Sequence, residues 1–211
     1  MLFKRSYIFF LLLFSSVIFS NKDNSTLLIY GDSISAGYGM SANEQWSVIL
    51  QNKINAESLN IKVVNASVSG ETTSGGLVRI NQVINSTKPD YLLLELGGND
   101  ALRGYPPKKI SSNLSEMIKI AQLSNIKVFL MQIKIPPNYG SRYQEAFESI
   151  YKKISDETNV RLIPFMLEEV ALNKDLMLPD GIHPKASAQP LICLLYTSPS
   201  PRDSWASAMP C

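Results

Sequence analysis

The stretch YLLLELGGND, Tyr91 to Asp100, begins with a short apolar run and ends in two glycines, an asparagine and an aspartate. Continuous apolar runs of this length are typical of strands buried on both faces of a parallel sheet. Four further runs have the same character: TLLIYG at 26–31, IKVVNAS at 61–67, IKVFLMQI at 126–133 and VRLIPF at 160–165. The sequence therefore predicts five buried strands, of which Tyr91 to Gly97 is the third.

The segments between these runs favour helices. They are 45–57, 74–86, 108–124 and 142–157, and in the last of them Ala146, Ile150 and Ile154 recur at the spacing of one helical turn. Because strands and helices alternate along the chain, we expect an α/β fold with right-handed crossovers. We expect one domain, because the chain contains no internal repeat and no linker.

The N-terminal residues 1–20 have the pattern of a secretory signal peptide. Lys4 and Arg5 precede an apolar run at 7–19, and Ser16 and Ser20 are small residues at which cleavage could occur. We therefore expect a periplasmic or secreted protein that keeps no stable membrane anchor after cleavage. An uncleaved anchor is the alternative.

The C-terminal segment CLLYTSPSPRD, Cys193 to Asp203, matches the translation of a sequencing-library adapter residue for residue. We therefore expect residues 193–211 to be an artefact, with a natural disordered tail as the alternative. The expected domain is 21–192, which has room for one core. A helix should follow Gln189, and we expect it to be truncated.

Composition excludes several classes of partner and cofactor. The chain has 20 Lys and Arg against 18 Asp and Glu, without a basic stripe, so we expect no nucleic-acid partner. No group of His, Cys and carboxylate residues has metal-ligand spacing, so we expect no metal and no other cofactor. We expect a monomer that acts on a small molecule.

Two motifs supply a candidate nucleophile and a candidate base. GDSIS places Ser33 directly after the first predicted strand, where Gly31 would permit a tight turn. DGIHP places Asp180 three residues before His183, the only histidine, so that the carboxylate could orient the imidazole. The alternatives are a strand-end turn capped by Asp32, and a solvated histidine in a surface turn.

Two further positions could stabilise an oxyanion. Asn99 follows two glycines at the end of the third predicted strand, and its amide could donate into developing negative charge. Gly70, in NASVSGETTSGG, could donate its backbone N–H to the same oxygen. A plain helix cap and a loop glycine are the alternatives, and Glu71 and Asp100 are expected to have local hydrogen-bonding roles. Together with Ser33 and His183, these groups are what acyl-transfer hydrolysis requires.

The four motifs GDSIS, NASVSGETTSGG, GGND and DGIH resemble the conserved blocks of the SGNH (GDSL) hydrolases. Across 26–192 the chain resembles the bacterial periplasmic thioesterase I / protease I / lysophospholipase L1 group and its arylesterase relatives. The resemblance implies a three-layer α/β/α sandwich on a five-stranded parallel sheet, of flavodoxin-like type. It implies Ser33 as nucleophile, His183 as base and Asp180 as its orienting carboxylate. It also implies an oxyanion hole made by the Ser33 N–H, the Gly70 N–H and the Asn99 side chain.

Apolar residues after the third and fourth predicted strands could line an acyl-chain groove, although ordinary loop packing is the alternative. The candidate substrate-binding residues are Leu102, Tyr105, Ile135, Pro136 and Tyr139. With the resemblance, lysophospholipids, acyl thioesters such as acyl-CoA and aryl esters are the expected substrates. Two alternatives remain open at this point: a carbohydrate O-deacetylase on the same scaffold, and a non-catalytic binder of acyl lipids. Nucleotide binding is disfavoured because neither GxGxxG nor GxxxxGK[ST] occurs.

Overall fold

A computed structural model describes residues 24–197, and within that span five parallel strands form one sheet in the order β2-β1-β3-β4-β5. The strands are β1 (Ser25–Gly31), β2 (Ile61–Asn65), β3 (Tyr91–Glu95), β4 (Lys127–Met131) and β5 (Arg161–Ile163). Each coincides with one of the five apolar runs, so the prediction of a five-stranded parallel sheet is confirmed.

The same part of the chain contains seven α-helices: α1 (Ser33–Ala36), α2 (Trp46–Ala56), α3 (Thr73–Thr87), α4 (Gly98–Leu102), α5 (Pro107–Leu123), α6 (Ser141–Thr158) and α7 (Gln189–Thr197). The four helices predicted from periodicity are α2, α3, α5 and α6, and every end lies within one residue of its expected position. The helices α1 and α4 are too short for periodicity to reveal. Both begin immediately after a strand and carry candidate site residues.

The helices lie on both faces of the sheet. On one face α5 packs between α3 and α6, and on the other α2 packs against α7. The backbone N–H of Trp46 donates to the Gln189 side-chain oxygen at 2.9 Å, which joins the first residues of these two helices. The molecule is therefore a three-layer α/β/α sandwich, as the resemblance implied.

The expectation that all five strands are buried on both faces is wrong for the two edge strands. The core strands β1, β3 and β4 are almost entirely buried, whereas β2 has no fully buried residue and β5 has one. An edge strand has a neighbour on one side only, so helices cover it less completely. Apolar runs identified these strands correctly, but they do not report a strand's place in the sheet.

The helix expected after Gln189 is α7, and it continues to Thr197 with Ile192 and Cys193 fully buried. It thus crosses the domain boundary that we expected at residue 192. Assignment of 193–211 to an artefact stays a prediction, as does the signal peptide at 1–20, which lies outside the described residues.

The sheet order brings the candidate motifs together. From β1 the chain moves to one neighbour, β2, and then crosses back to the other, β3, so the carboxyl ends of β1 and β3 flank a crevice. Gly31 pairs with Glu95 at this end of the two strands. The segments that follow β1, β2 and β3 therefore meet here. Within residues 24–197, no helix has both the length and the apolarity needed to cross a bilayer.

Candidate active site

Ser33 is the first residue of α1, directly after β1, and is nearly buried at 8% exposure. Asp32 caps this helix, because its carboxylate accepts from the Ile34 N–H at 3.1 Å. The capping role that we considered as an alternative is therefore present. It orients the first turn, and with it the serine.

His183 and Asp180 form one compact turn that faces Ser33. The imidazole Nε2 lies 2.8 Å from the Ser33 Oγ, and Nδ1 lies 2.8 Å from the Asp180 Oδ2. The other Asp180 oxygen accepts from the backbone N–H groups of Ile182 at 2.9 Å and His183 at 3.0 Å. The histidine is therefore not a solvated surface residue, because both ring nitrogens have partners.

These contacts keep Asp180 ionised. Partial burial acts to raise the pKa of its carboxyl, but hydrogen bonds from the His183 backbone and imidazole and from the Ile182 N–H outweigh it. The pKa is lowered from 3.8 to about 2. The carboxylate can therefore hold the imidazole with Nδ1 protonated, which leaves Nε2 free to accept the Ser33 proton.

Tyr38 packs against the histidine, a contact that the sequence analysis missed. Its ring centroid lies 4.4 Å from that of His183, with the two planes tilted by 36°. The Tyr38 N–H donates to the Ser33 carbonyl at 3.0 Å, so the turn that ends α1 places this ring. In the sequence Tyr38 follows Ser33 by five residues, and a lone tyrosine at that position is not a specific signal.

Gly70 and Asn99 line the same cavity as Ser33 and His183. Gly70 has a φ of +77°, which glycine adopts without strain, so this backbone turn is specified by the residue type. Asn99 is not the helix cap of α4, because Gly97 occupies that position. The Asn99 Nδ2 donates one hydrogen to the Asp32 Oδ2 at 3.1 Å, and its second hydrogen remains for another acceptor.

Neighbouring acidic residues have structural partners, as expected. Asp100 is fully buried and accepts from both the backbone N–H and the hydroxyl of Thr73, at 2.8 and 2.6 Å. Glu71 pairs with Arg79. The hydrogen bonds between Thr73 and Asp100 join α3 to α4, and so they hold Asn99, the residue before Asp100, in place.

The buried carboxyl of Glu95 lies beside Asp32, and the sequence analysis did not identify it. Glu95 is fully buried at the end of β3, where its Oε2 accepts from the Ser35 hydroxyl at 2.7 Å and the Asp32 N–H at 3.3 Å. A Cβ at Gly31 would overlap this carboxyl, so Gly31 serves to make room for Glu95 rather than to form a tight turn. This role of Gly31 depends on the pairing of β1 with β3, which places Gly31 opposite Glu95.

Burial raises the pKa values of both acids. For Asp32 burial dominates over hydrogen bonds from the Ile34 N–H and other groups, and the pKa rises from 3.8 to about 6. For Glu95 burial, followed by the nearby Asp32 charge, raises the pKa well above 4.5. The floor of the site thus holds a carboxyl pair that resists full ionisation.

A largely apolar cavity of about 710 Å³ opens beside Ser33. Of the five candidate substrate-binding residues, Leu102, Ile135 and Pro136 line it. Tyr105 and Tyr139 are not among its lining residues, since their side chains are exposed on the neighbouring surface. Apolar lining residues that the sequence analysis did not single out include Ile34, Ile133, Phe165, Leu167, Met177 and Ile182.

The site combines a hydroxyl, an imidazole and a carboxylate in one hydrogen-bonded line, beside hydrogen-bond donors and an apolar cavity. This is the arrangement of serine hydrolases that act on acyl compounds. The family model for GDSL-like lipases/acylhydrolases matches residues 29–189. The chain belongs to this family, and the predicted membership of the SGNH (GDSL) hydrolases is confirmed.

Individual relatives agree with this membership. An arylesterase from Vibrio mimicus is 44% identical over 182 residues, which are 86% of this chain and 91% of that protein. The thioesterase 1/protease 1/lysophospholipase L1 of Escherichia coli (strain K12) is 46% identical over 167 residues, or 79% of each protein. The chain is thus a hydrolase of the esterase class.

Solved structures of related proteins support the same family membership. The psychrotrophic esterase EstA from Pseudoalteromonas sp., in a structure inhibited by monoethylphosphonate, matches with a TM-score of 0.80 and 44% identity over 82% of this chain and 94% of that one. AlinE4, an SGNH-hydrolase family esterase, matches with a TM-score of 0.71 and 36% identity over 89% of this chain and 98% of that one. The fold and the esterase class are therefore supported independently.

Proposed function

We propose that this chain hydrolyses medium- and long-chain acyl esters and thioesters through a Ser33–His183–Asp180 triad. The observation that carries the proposal is the pair of 2.8 Å contacts that joins the Ser33 Oγ to the His183 Nε2 and the His183 Nδ1 to the Asp180 Oδ2. A serine hydroxyl is a weak nucleophile until a neighbouring base takes its proton, and this line of groups provides that base.

The reaction proceeds by double displacement. The Ser33 Oγ attacks the acyl carbon while His183 takes the hydroxyl proton, and the tetrahedral intermediate forms. His183 then gives that proton to the departing alcohol or thiol, and the acyl group stays on Ser33 as an ester. Water, deprotonated by His183, attacks this ester, and the proton returns to Ser33 as the acid leaves. The proton that departs with the alcohol or thiol is replaced by one from water, so the triad returns to its starting state after a full cycle.

Three donors stabilise the oxyanion of the intermediate: the Ser33 N–H, the Gly70 N–H and the Asn99 amide. All three residues line one cavity, and Asn99 is oriented by its hydrogen bond to Asp32 at 3.1 Å. Donors held in place before the reaction need no rearrangement when charge develops, which is why they lower the barrier. The proposed steps use only the triad and these three donors.

The cavity favours a substrate with an extended acyl chain. Its volume of about 710 Å³ greatly exceeds what an acetyl group fills, and Leu102, Ile135 and Pro136 give it an apolar wall. Lysophospholipids, acyl-CoA and aryl esters are the proposed substrates, in agreement with the names of the relatives. The residues 1–20 support a periplasmic or secreted location, and we propose that the mature protein acts there as a monomer without a membrane anchor or a nucleic-acid partner.

The decisive experiment measures hydrolysis of p-nitrophenyl esters from acetyl to palmitoyl by the purified protein and by its Ser33→Ala variant. We expect turnover that rises with chain length and is lost in the variant. A phosphonate ester should label the wild-type protein on Ser33 and leave the variant unlabelled. Turnover confined to acetyl would indicate a deacetylase instead. A folded protein that retains lipid without turnover would indicate a non-catalytic binder.

A further inference from the structure

His183 depends on contacts outside its own segment for its position relative to Ser33. It lies between β5 and α7, where the chain forms two short 3-10 turns, Lys174–Leu176 and Ala186–Ala188. The Leu178 N–H donates to the His183 carbonyl at 2.7 Å, so this bond holds the turn from within the same segment. Such a bond shapes the turn, but it does not fix the imidazole relative to a serine on a different element.

The backbone of Tyr38 is bonded to the residue that carries the candidate nucleophile. Its N–H donates to the Ser33 carbonyl at 3.0 Å, and the N–H of Gly37, which has a φ of +73°, donates to the same carbonyl. The Gln45 side chain donates to the Ala36 carbonyl at 3.0 Å and so supports this turn from the start of α2. The turn that ends α1 therefore fixes the position of Tyr38 relative to Ser33.

The Tyr38 ring links this turn to the turn that carries His183. The two ring centroids are 4.4 Å apart, and both residues line the cavity. The side chain of His183 is only 16% exposed, whereas Tyr38 is 52% exposed. Beside this contact, a Cβ built on Gly39 would lie 3.1 Å from the Leu178 Cδ1, so the two turns approach each other closely. Tyr38 therefore connects the imidazole to the element that carries Ser33.

This link matters most while the transferred proton is on His183. Once the Ser33 Oγ is bonded to the acyl carbon, the 2.8 Å contact between Nε2 and the free hydroxyl is gone, and Nε2 must deliver its proton to the leaving oxygen. The bond from Nδ1 to Asp180 remains, but it holds one edge of the ring only. The Tyr38 ring then limits the tilt of the imidazole. At this distance an aromatic ring also stabilises a cation, and the imidazole is a cation at that moment.

We propose that Tyr38 is a positioning residue that holds His183 while it protonates the leaving group, so that esters with strongly basic leaving groups depend on Tyr38 most. A strongly basic alkoxide needs its proton as the carbon–oxygen bond breaks, whereas a weakly basic one departs with less help. The ring is the part of Tyr38 that acts, since its hydroxyl forms no hydrogen bond among residues 24–197. This inference rests on the proposed function and concerns one step of it, the departure of the leaving group.

The test compares ethyl butyrate with trifluoroethyl butyrate. Both esters give the same butyryl-enzyme and their leaving groups are similar in size, but ethoxide is the stronger base. The measured quantity is kcat/KM, because it reports on the step in which the leaving group departs. We expect Tyr38→Ala to lower kcat/KM about tenfold more for ethyl butyrate than for trifluoroethyl butyrate, a part of the roughly 10²–10⁴-fold that general acid–base catalysis contributes. Tyr38→Phe keeps the ring and should retain the wild-type values for both esters.

The control is Val78→Ala, which truncates an apolar side chain that is 85% exposed on α3 and should leave both substrates unaffected. Equal losses on the two esters in Tyr38→Ala would mean that Tyr38 only supports the local packing, and would overturn the inference. No loss on either ester would overturn it as well, and so would a Tyr38→Phe variant as impaired as Tyr38→Ala. If the wild-type protein fails on every ester, p-nitrophenyl esters included, the proposed function itself fails, and that outcome is distinct from the others.

Discussion

Ser33 depends on partners that are distant along the chain. His183 lies 150 residues later, and Asn99, which lines the same cavity, is held by Asp32, the residue before the serine. At the residue scale, the site is thus a set of hydrogen bonds between side chains whose types the motifs supply. The spacing within DGIH makes the Asp180–His183 contact local, and the remaining contacts require the fold.

Asn99→Ala should lower kcat by about 10²–10³-fold with little change in KM, because the lost donor acts on charge that develops in the transition state. Steady-state kinetics at a series of p-nitrophenyl butyrate concentrations measures both constants. Thermal unfolding of the variant serves as the control, since Asp32 also loses a hydrogen bond. A raised KM with unchanged kcat would contradict the assigned role.

Asp180→Asn should reduce kcat by about 10⁴-fold, because an amide cannot fix the imidazole with Nδ1 protonated. The pKa of Asp180 is lowered from 3.8 to about 2, so its ionised form stabilises the fold fully above pH 3.8, and this contribution is lost as the pH falls toward 2. Urea unfolding at a series of pH values should therefore show the wild-type advantage over the variant shrinking in that window. An advantage that grows on acidification would contradict the assignment.

At the element scale, the carboxyl ends of β1 and β3 share the buried acids Asp32 and Glu95. Their proximity follows from the parallel pairing of Gly31 with Glu95, since these positions are 64 residues apart and meet only in the sheet. The boundaries of α2, α3, α5 and α6 were predictable because long amphipathic patterns average over many residues. Those of α1 and α4 were not, because helices of four and five residues are specified by caps and tertiary contacts.

In Glu95→Gln, the free energy of unfolding should fall less steeply with rising pH than in the wild-type protein. The raised pKa means that the folded protein keeps a proton that the unfolded chain releases above pH 4.5, so the free energy of unfolding falls as the pH rises from there toward the folded pKa. One such proton corresponds to a slope of about 1.4 kcal/mol per pH unit. Glutamine has the same shape, and its oxygen can accept from Ser35 and Asp32 as Oε2 does.

Denaturant unfolding between pH 5 and 9 would measure this difference in slope. Glu157→Gln is the matched control, because Glu157 is an exposed carboxyl on α6 whose substitution should leave the pH profile unchanged. Parallel profiles for the wild-type protein and Glu95→Gln would show that Glu95 ionises freely in the fold.

At the scale of the whole molecule, the cavity is the feature that no single element contains. Its wall combines residues after β3, β4 and β5 with the turn that carries His183. Leu102, Ile135 and Pro136 were predictable as lining residues because they follow central strands at the carboxyl edge. Tyr105 and Tyr139 also follow those strands, but their loops direct them outward.

Leu102→Trp should shorten the acyl chains that the enzyme accepts. The larger ring would occupy part of the cavity, so we expect kcat/KM to fall about tenfold for decanoyl esters and to stay nearly constant for acetyl esters, the size of effect that a filled hydrophobic pocket produces. Leu123→Trp, at an exposed position near the end of α5, is the control. A uniform loss across chain lengths would indicate damage to the triad rather than a smaller cavity.

The sequence by itself determined the α/β class, the five strands, the family and the residue types of the proposed triad and oxyanion hole, because short-range periodicity and motif spacing are local properties of the chain. Only the tertiary structure decided that Gly31 makes room for Glu95, that Tyr38 covers His183, and which apolar residues line the cavity. These are contacts between segments far apart in sequence, and their energies depend on distance and burial that exist only once the sheet has assembled.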